Sequence, residues 1–128
     1  MQFSAEPIVA GTPVEVTCIE SRAGKLLNTT IYTWEVLPAE DVSLTPVAPE
    51  QGLYDGKNPT CTILFPHAGT YTITFRADYA GSGQVNYFSE RATLDDGTTA
   101  EYTANTASDT SPQRDYLHAT LTRRVTVH

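Results

Sequence analysis

Polar and apolar residues alternate along much of the chain, and short groups of turn residues separate the alternating stretches. Such alternation is typical of strands that bury one face, because successive side chains of a strand point to opposite faces of the sheet. The clearest example is residues 70–79, where Tyr71, Ile73, Phe75 and Ala77 alternate with polar residues. Together the stretches predict core strands at residues 6–10, 13–19, 30–37, 42–47, 60–65, 70–79 and 117–127.

Two interruptions of the pattern lead to further expectations. Pro46 and Pro49 confine the strand at residues 42–47, which suits the edge of a sheet because proline cannot donate to a central ladder. Arg123 interrupts the apolar face of residues 117–127, which predicts a bulge or an exposed end there. No stretch repeats apolar residues at three- and four-residue spacing over a helical length, so we expect no helix longer than one turn.

Residues 81–115 differ from the rest of the chain. Residues 85–94 and 98–104 show strand patterning and are joined by Asp95-Asp96-Gly97, a favourable hairpin turn. We therefore predict a two-stranded hairpin arm, inserted between the last two core strands. Since a lone hairpin is only marginally stable in water, this arm is expected to gain much of its order from a surface outside the core.

Acidic residues are concentrated around this arm. Seven acids between positions 78 and 115 face only Arg91 and Arg114, a net charge of −5 out of −7 for the whole chain. Such a surface disfavours nucleic acid and anionic membranes as partners, because both are bound through clustered lysine and arginine. No run approaches the ~18 apolar residues of a membrane span, and the first residues lack the regions of a secretion signal. We expect no membrane insertion, and either a chain made in the cytosol or a domain of a longer surface protein.

The sequence carries no specific catalytic or metal-binding pattern. The chain has no Gly-x-Ser-x-Gly motif, no phosphate-binding glycine loop before a helix, and no cysteine or histidine cluster with ligand spacing. Asp95-Asp96-Gly97 lacks the further spaced oxygen ligands of a calcium site and is interpreted as a plain turn. We expect no enzyme activity, no catalytic residue, no metal and no cofactor.

One segment resembles a known family. Residues 65–73 read Phe-Pro-His-Ala-Gly-Thr-Tyr-Thr-Ile, which resembles the "F-P-x-A-G-T-Y-T-V" segment of PKD-type immunoglobulin-like domains. Tyr32-Thr33-Trp34 is similar to the Tyr-x-Trp strand of that family, although Leu37-Pro38-Ala39 replaces its usual Gly-Asp-Gly. The resemblance implies an all-β, immunoglobulin-like two-sheet antiparallel sandwich that carries the hairpin arm. One domain would span residues 1–128, with the core at 6–80 and 116–128 and the arm at 81–115.

The resemblance also suggests roles for four structural residues. Trp34 would lie in the core, and Tyr71 would be a corner tyrosine whose hydroxyl bonds to the backbone a few residues upstream. Cys18 and Cys61 would lie side by side on neighbouring strands. They could be two buried thiols, or they could form a cross-strand disulfide in an oxidising compartment.

The expected function is binding and not catalysis. Tyr87, Phe88 and Tyr102, with the acidic Asp95 and Asp96, are the candidate contacts to a partner, because tyrosine-rich surface is typical of protein interfaces. The alternative is that these aromatic residues pack the arm onto the sandwich. Since PKD-like domains are common in virus particles, we expect a bacteriophage accessory protein, such as a capsid decoration protein, that binds other protein subunits. The second hypothesis is a bacterial cell-surface module of an adhesin or glycan-degrading protein, and a homo-oligomer remains open in both cases.

Overall fold

The regular elements are all strands in the part of the chain that the computed structural model describes, which is residues 1–18, 27–46, 51–53, 59–81, 88–93, 97–106 and 115–128. The strands are β1 (Gln2–Phe3), β2 (Val14–Thr17), β3 (Leu27–Leu37), β4 (Ser43–Pro46), β5 (Gln51–Leu53), β6 (Thr60–Leu64), β7 (Gly69–Gly81), β8 (Phe88–Thr93), β9 (Thr99–Thr106) and β10 (Asp115–Val127).

These strands form two antiparallel sheets. The smaller sheet has the order β1-β2-β6-β4, and the larger one has the order β5-β3-β7-β10-β9-β8. The edge position predicted for residues 42–47 is confirmed, because β4 is the last strand of the smaller sheet. The prediction of an all-β chain with two antiparallel sheets is also confirmed, and the arrangement is compatible with a sandwich.

A single cluster of buried side chains draws on both sheets. Val16 and Ile63 come from the smaller sheet, and Ile73, Phe75 and Leu121 come from the larger one. The alternation of the sequence explains this core: in β7 the odd-numbered residues from Tyr71 to Ala77 are buried, and the even-numbered residues between them are not. The cluster also extends beyond the predicted core bounds, because it includes Met1 and Ala100.

The strand predicted at residues 6–10 is wrong. Only Ile8 has a strand-like partner there, in an isolated parallel bridge to Val127. Pro7 lacks an N–H and cannot contribute a donor to a ladder, which limits pairing before Ile8. The chain instead joins the smaller sheet earlier, through the two-residue strand β1, which pairs with β2.

The bulge or exposed end predicted at Arg123 is also wrong. β10 pairs with β7 in an unbroken register from Asp115↔Gly81 to Val127↔Gly69. Arg123 takes its place in this regular strand, and its side chain is only 19 % exposed. The charge is accommodated by contacts with the amino-terminal segment, which the alternation of β10 alone could not reveal.

Candidate interaction surface

The predicted structural residues lie in or against the core. The hydroxyl of Tyr71 donates a hydrogen bond to the carbonyl oxygen of His67, 3.0 Å away and four residues upstream, as the sequence predicted. The Tyr71 ring packs on Phe65 with 4.8 Å between ring centroids. Trp34 packs on Phe75 at 4.7 Å but is only partly buried, so it lies at the margin of the core.

The two cysteines are buried thiols: Cys61 belongs to β6, and Cys18 directly follows the neighbouring strand β2. Val16 of β2 is opposite Cys61 of β6, and the N–H of Cys18 donates to the carbonyl oxygen of Pro59 at 2.9 Å. Cys18 therefore stands diagonally to Cys61 and not directly across from it. Diagonal neighbours in a sheet are roughly 7–8 Å apart between Cα atoms, at or beyond the span that a disulfide can bridge.

The predicted hairpin is held by the core sheet. β8 and β9 pair from Phe88↔Ala104 to Thr93↔Thr99, and β9 pairs with β10 over eight residues, up to Thr122↔Thr99. This corrects the expectation of an arm that depends on a surface outside the core, since β10 supplies a full ladder of main-chain partners. The fully buried Ala100 confirms that β9 is part of the packed structure.

The candidate partner contacts are only partly within the described residues. Phe88 begins β8, and Tyr102 lies in the middle of β9, opposite Glu90 on one side and Ala119 on the other. The side chains of these two residues are outside the described part of the structure. Tyr87, Asp95 and Asp96 lie outside the described residues altogether, so the contacts proposed for them stay predictions.

The hydrogen bonds of His128, at the end of β10, show toward which neighbouring strand each N–H and C=O group of β10 points. His128 donates its N–H to Ile8 and accepts a hydrogen bond from the N–H of Ala10, both at 2.9 Å. Because β7 borders β10 on the opposite side up to Val127, these groups of His128 point toward the side on which β9 lies. Main-chain groups change sides at every residue of a regular strand, so the even-numbered residues of β10 direct theirs toward β9.

The same alternation continues across the hairpin to β8. Glu101 of β9 is opposite Thr120 and directs its groups to β10, so those of Tyr102 point to β8. Glu90 is opposite Tyr102 and points back to β9. The N–H and C=O groups of Ser89 and Arg91 therefore point away from β9, on the outer edge of the last strand in the sheet order.

A polar row crosses the solvent-facing surface of the larger sheet. One row of neighbouring residues runs across five strands and consists of Glu35, Thr74, Thr122, Thr99 and Thr93. Charged side chains flank this row, among them Arg76, whose Nε lies 3.2 Å from a carboxylate oxygen of Asp78. This row is more polar than a stable obligate interface, and the exposed apolar residues on the same face, Ile31 and Leu37, lie on β3.

A second group of polar contacts surrounds Arg123. Its guanidinium lies 4.6 Å from the centre of the Phe3 ring, and its Nη1 donates to the carbonyl oxygen of Met1 at 3.3 Å. Its Nη2 lies 3.7 Å from a carboxylate oxygen of Glu6. In the sequence, these contacts are indicated only by the charge of Arg123 on an otherwise apolar strand face. The residues that Arg123 contacts are more than a hundred positions away in the chain.

The described ranges contain no group of three or more His, Cys, Asp or Glu residues arranged to hold a metal ion. Nor do they include a helix that is long and apolar enough to cross a membrane.

Comparison with known proteins gives no relative: no family model, no curated protein and no solved structure matches this chain.

Proposed function

We propose that this chain is a non-enzymatic structural protein that binds other protein subunits through the hairpin formed by β8 and β9. The observation that carries the proposal is the position of β8 as the last strand of the six-stranded sheet. An edge strand presents main-chain donors and acceptors in a row, and a strand of a second chain can pair with them. The acidic residues around this hairpin would then select a partner of complementary charge.

The setting that we propose is a virus particle, where the chain serves as a bacteriophage accessory or capsid decoration protein. The resemblance of residues 65–73 to PKD-type domains supports this setting, because such domains are common in virion proteins. The alternative setting is the surface of a bacterial cell, where the same sandwich would be one module of a longer protein.

Proline at the outer edge of β8 tests the binding mode. Ser89→Pro removes an N–H that points away from β9, so the sheet keeps its ladder while the edge loses a donor. Ser89→Ala is the matched control, because it removes only the hydroxyl. We expect Ser89→Pro to lower the number of tagged copies in purified particles by about tenfold, since a missing main-chain bond and a steric block act together. Ser89→Ala should be incorporated like the unmodified chain.

Two results would contradict this proposal. Incorporation of Ser89→Pro at the level of Ser89→Ala would exclude strand addition at β8. Recovery of the tagged chain on the outside of intact bacterial cells, where added protease removes it, and not in particles, would favour the surface module.

A further inference from the structure

A cleft of about 200 Å³ lies beside residues 123–126 of β10. Among the described residues, the pairing of β9 with β10 ends at Thr122↔Thr99, and the next partner on that side is Ile8, bridged to Val127. The cleft is lined by residues 123–126 of β10, which lie between these two pairings, and by Phe3 and residues 6–8.

The main chain of Arg124 faces this cleft. The groups of His128 point to the amino-terminal segment, and the alternation along β10 gives Thr126 and Arg124 the same direction. The described part of β9 pairs no further than Thr122, so the N–H and C=O of Arg124 are directed into the interval between the two neighbours. A short extended peptide could pair with them as one more piece of strand.

The guanidinium of Arg123 lies at this cleft on a chain that is strongly acidic. Arg124 is the next residue of a regular strand, so its side chain points to the opposite face and its main chain lines the cleft, whereas the whole chain has only eight lysine and arginine residues against fifteen acids. Arg123 is held in place by the Phe3 ring and the carbonyl oxygen of Met1. A guanidinium that is already oriented loses little rotamer freedom when it receives a carboxylate.

One carboxylate already lies at this position. Glu6 is 61 % exposed and approaches the Nη2 of Arg123 only to 3.7 Å, which is longer than a hydrogen bond. This loose contact shows that the cleft has room for a carboxylate beside the guanidinium. It also identifies Glu6 as a weak internal competitor for any carboxylate that arrives from outside.

We propose that this cleft binds an extended, acidic peptide segment of a protein partner. An aspartate or glutamate side chain of that segment lies beside Arg123, and its backbone pairs with the main chain of Arg124. This site is separate from the outer edge of β8, so it goes beyond the function proposed above and can be tested independently of it.

The experiment is a titration of the isotope-labelled full chain, followed through the backbone amide signals. The probes are the capped pentapeptide acetyl-Thr-Val-Asp-Val-Thr-amide, its Asn counterpart and sodium acetate. We expect the Asp peptide to shift the amide signal of Arg124 with a Kd on the order of 1 mM. The Asn peptide should bind about fivefold more weakly, and acetate more weakly still, because each lacks one of the two kinds of contact.

Three variants refine this test. Arg123→Gln should weaken binding of the Asp peptide by about threefold, as expected when one partner of a charge pair loses its charge. Glu6→Gln should strengthen it by about threefold, because the internal competitor loses its charge. Arg76→Gln is the matched control: it removes one arginine from the same sheet, away from the cleft, and should leave the affinity unchanged.

Several results would overturn the proposal. Equal binding of the Asp and Asn peptides would exclude recognition of the carboxylate. Saturation by acetate at the same concentration as the peptide would exclude an extended segment as the ligand. Unchanged or weaker binding by Glu6→Gln would show that Glu6 does not compete for this position.

Discussion

At the residue scale, burial determines how much each side chain contributes to stability. Ile63 and Ile31 are chemically identical, but Ile63 is fully buried between the sheets and Ile31 is 44 % exposed on β3. A buried methyl group adds transfer free energy and fills space, whereas an exposed one adds little of either.

The substitutions Ile63→Val and Ile31→Val should therefore have clearly different effects on the free energy of unfolding. We expect Ile63→Val to lower the free energy of unfolding by about 1 kcal/mol and Ile31→Val to change it by less than about 0.5 kcal/mol. Urea unfolding followed by tryptophan fluorescence measures both. Equal losses would show that Ile31 is buried in solution, or that Ile63 is not.

Tyr71 allows its hydrogen bond to be separated from its ring. Tyr71→Phe removes only the hydroxyl that donates to His67, and we expect a loss of about 1 kcal/mol in unfolding free energy. Tyr71→Leu also removes the ring that packs on Phe65 and should cost about 2 kcal/mol or more. If the two variants lose the same amount, the ring contact contributes nothing beyond the hydroxyl.

At the element scale, the sequence predicted which face of a strand is buried better than it predicted which strands pair with each other. Alternation in β7 identified the buried residues Tyr71, Ile73, Phe75 and Ala77, because side-chain period reports which face is covered. It does not report which strands pair, because main-chain groups are the same for every sequence. The docking of β9 on β10 was missed for this reason, and the two- and three-residue strands β1 and β5 are too short to show any period.

The hairpin illustrates the consequence for stability. Replacing residues 84–105 with a short Gly-Ser linker would remove the fully buried Ala100 and the partner ladder of β10. We expect the free energy of unfolding to fall by several kcal/mol, or the chain to fail to fold. The replacement leaves the main-chain groups of β10 without partners on one side, and it also uncovers one edge of the core. A melting temperature within a few degrees of the intact chain, measured by circular dichroism, would show that β8 and β9 are dispensable for the core.

Strand register also decides whether Cys18 and Cys61 can form a disulfide bond. Their diagonal placement, with Cys18 directly after β2 and Cys61 in β6, predicts thiols that react with a chromogenic reagent only after denaturation, at two per chain. The melting temperature should be the same with and without reductant. A melt that falls when reductant is added would show that the register accommodates a disulfide.

At the scale of the whole molecule, the two sheets leave distinct regions for binding. A polar row crosses the larger sheet, β8 is the last strand in the order of that sheet, and the cleft at Arg123 lies beside β10. The sequence indicated the hairpin and the unusual Arg123, but not the cleft. That site needs Phe3 and Glu6 from the other end of the chain, and no local pattern brings them to β10.

Hydrogen exchange along β8 tests the central proposal, strand addition at this edge, most directly. In the isolated chain the amides of Glu90 and Ala92 should be protected by β9, and those of Ser89 and Arg91 should exchange rapidly because they point away from it. In the assembled complex, Ser89 and Arg91 should become protected as well. If these two amides exchange as rapidly in the complex as in the isolated chain, no partner strand has been added to β8 and the account is contradicted.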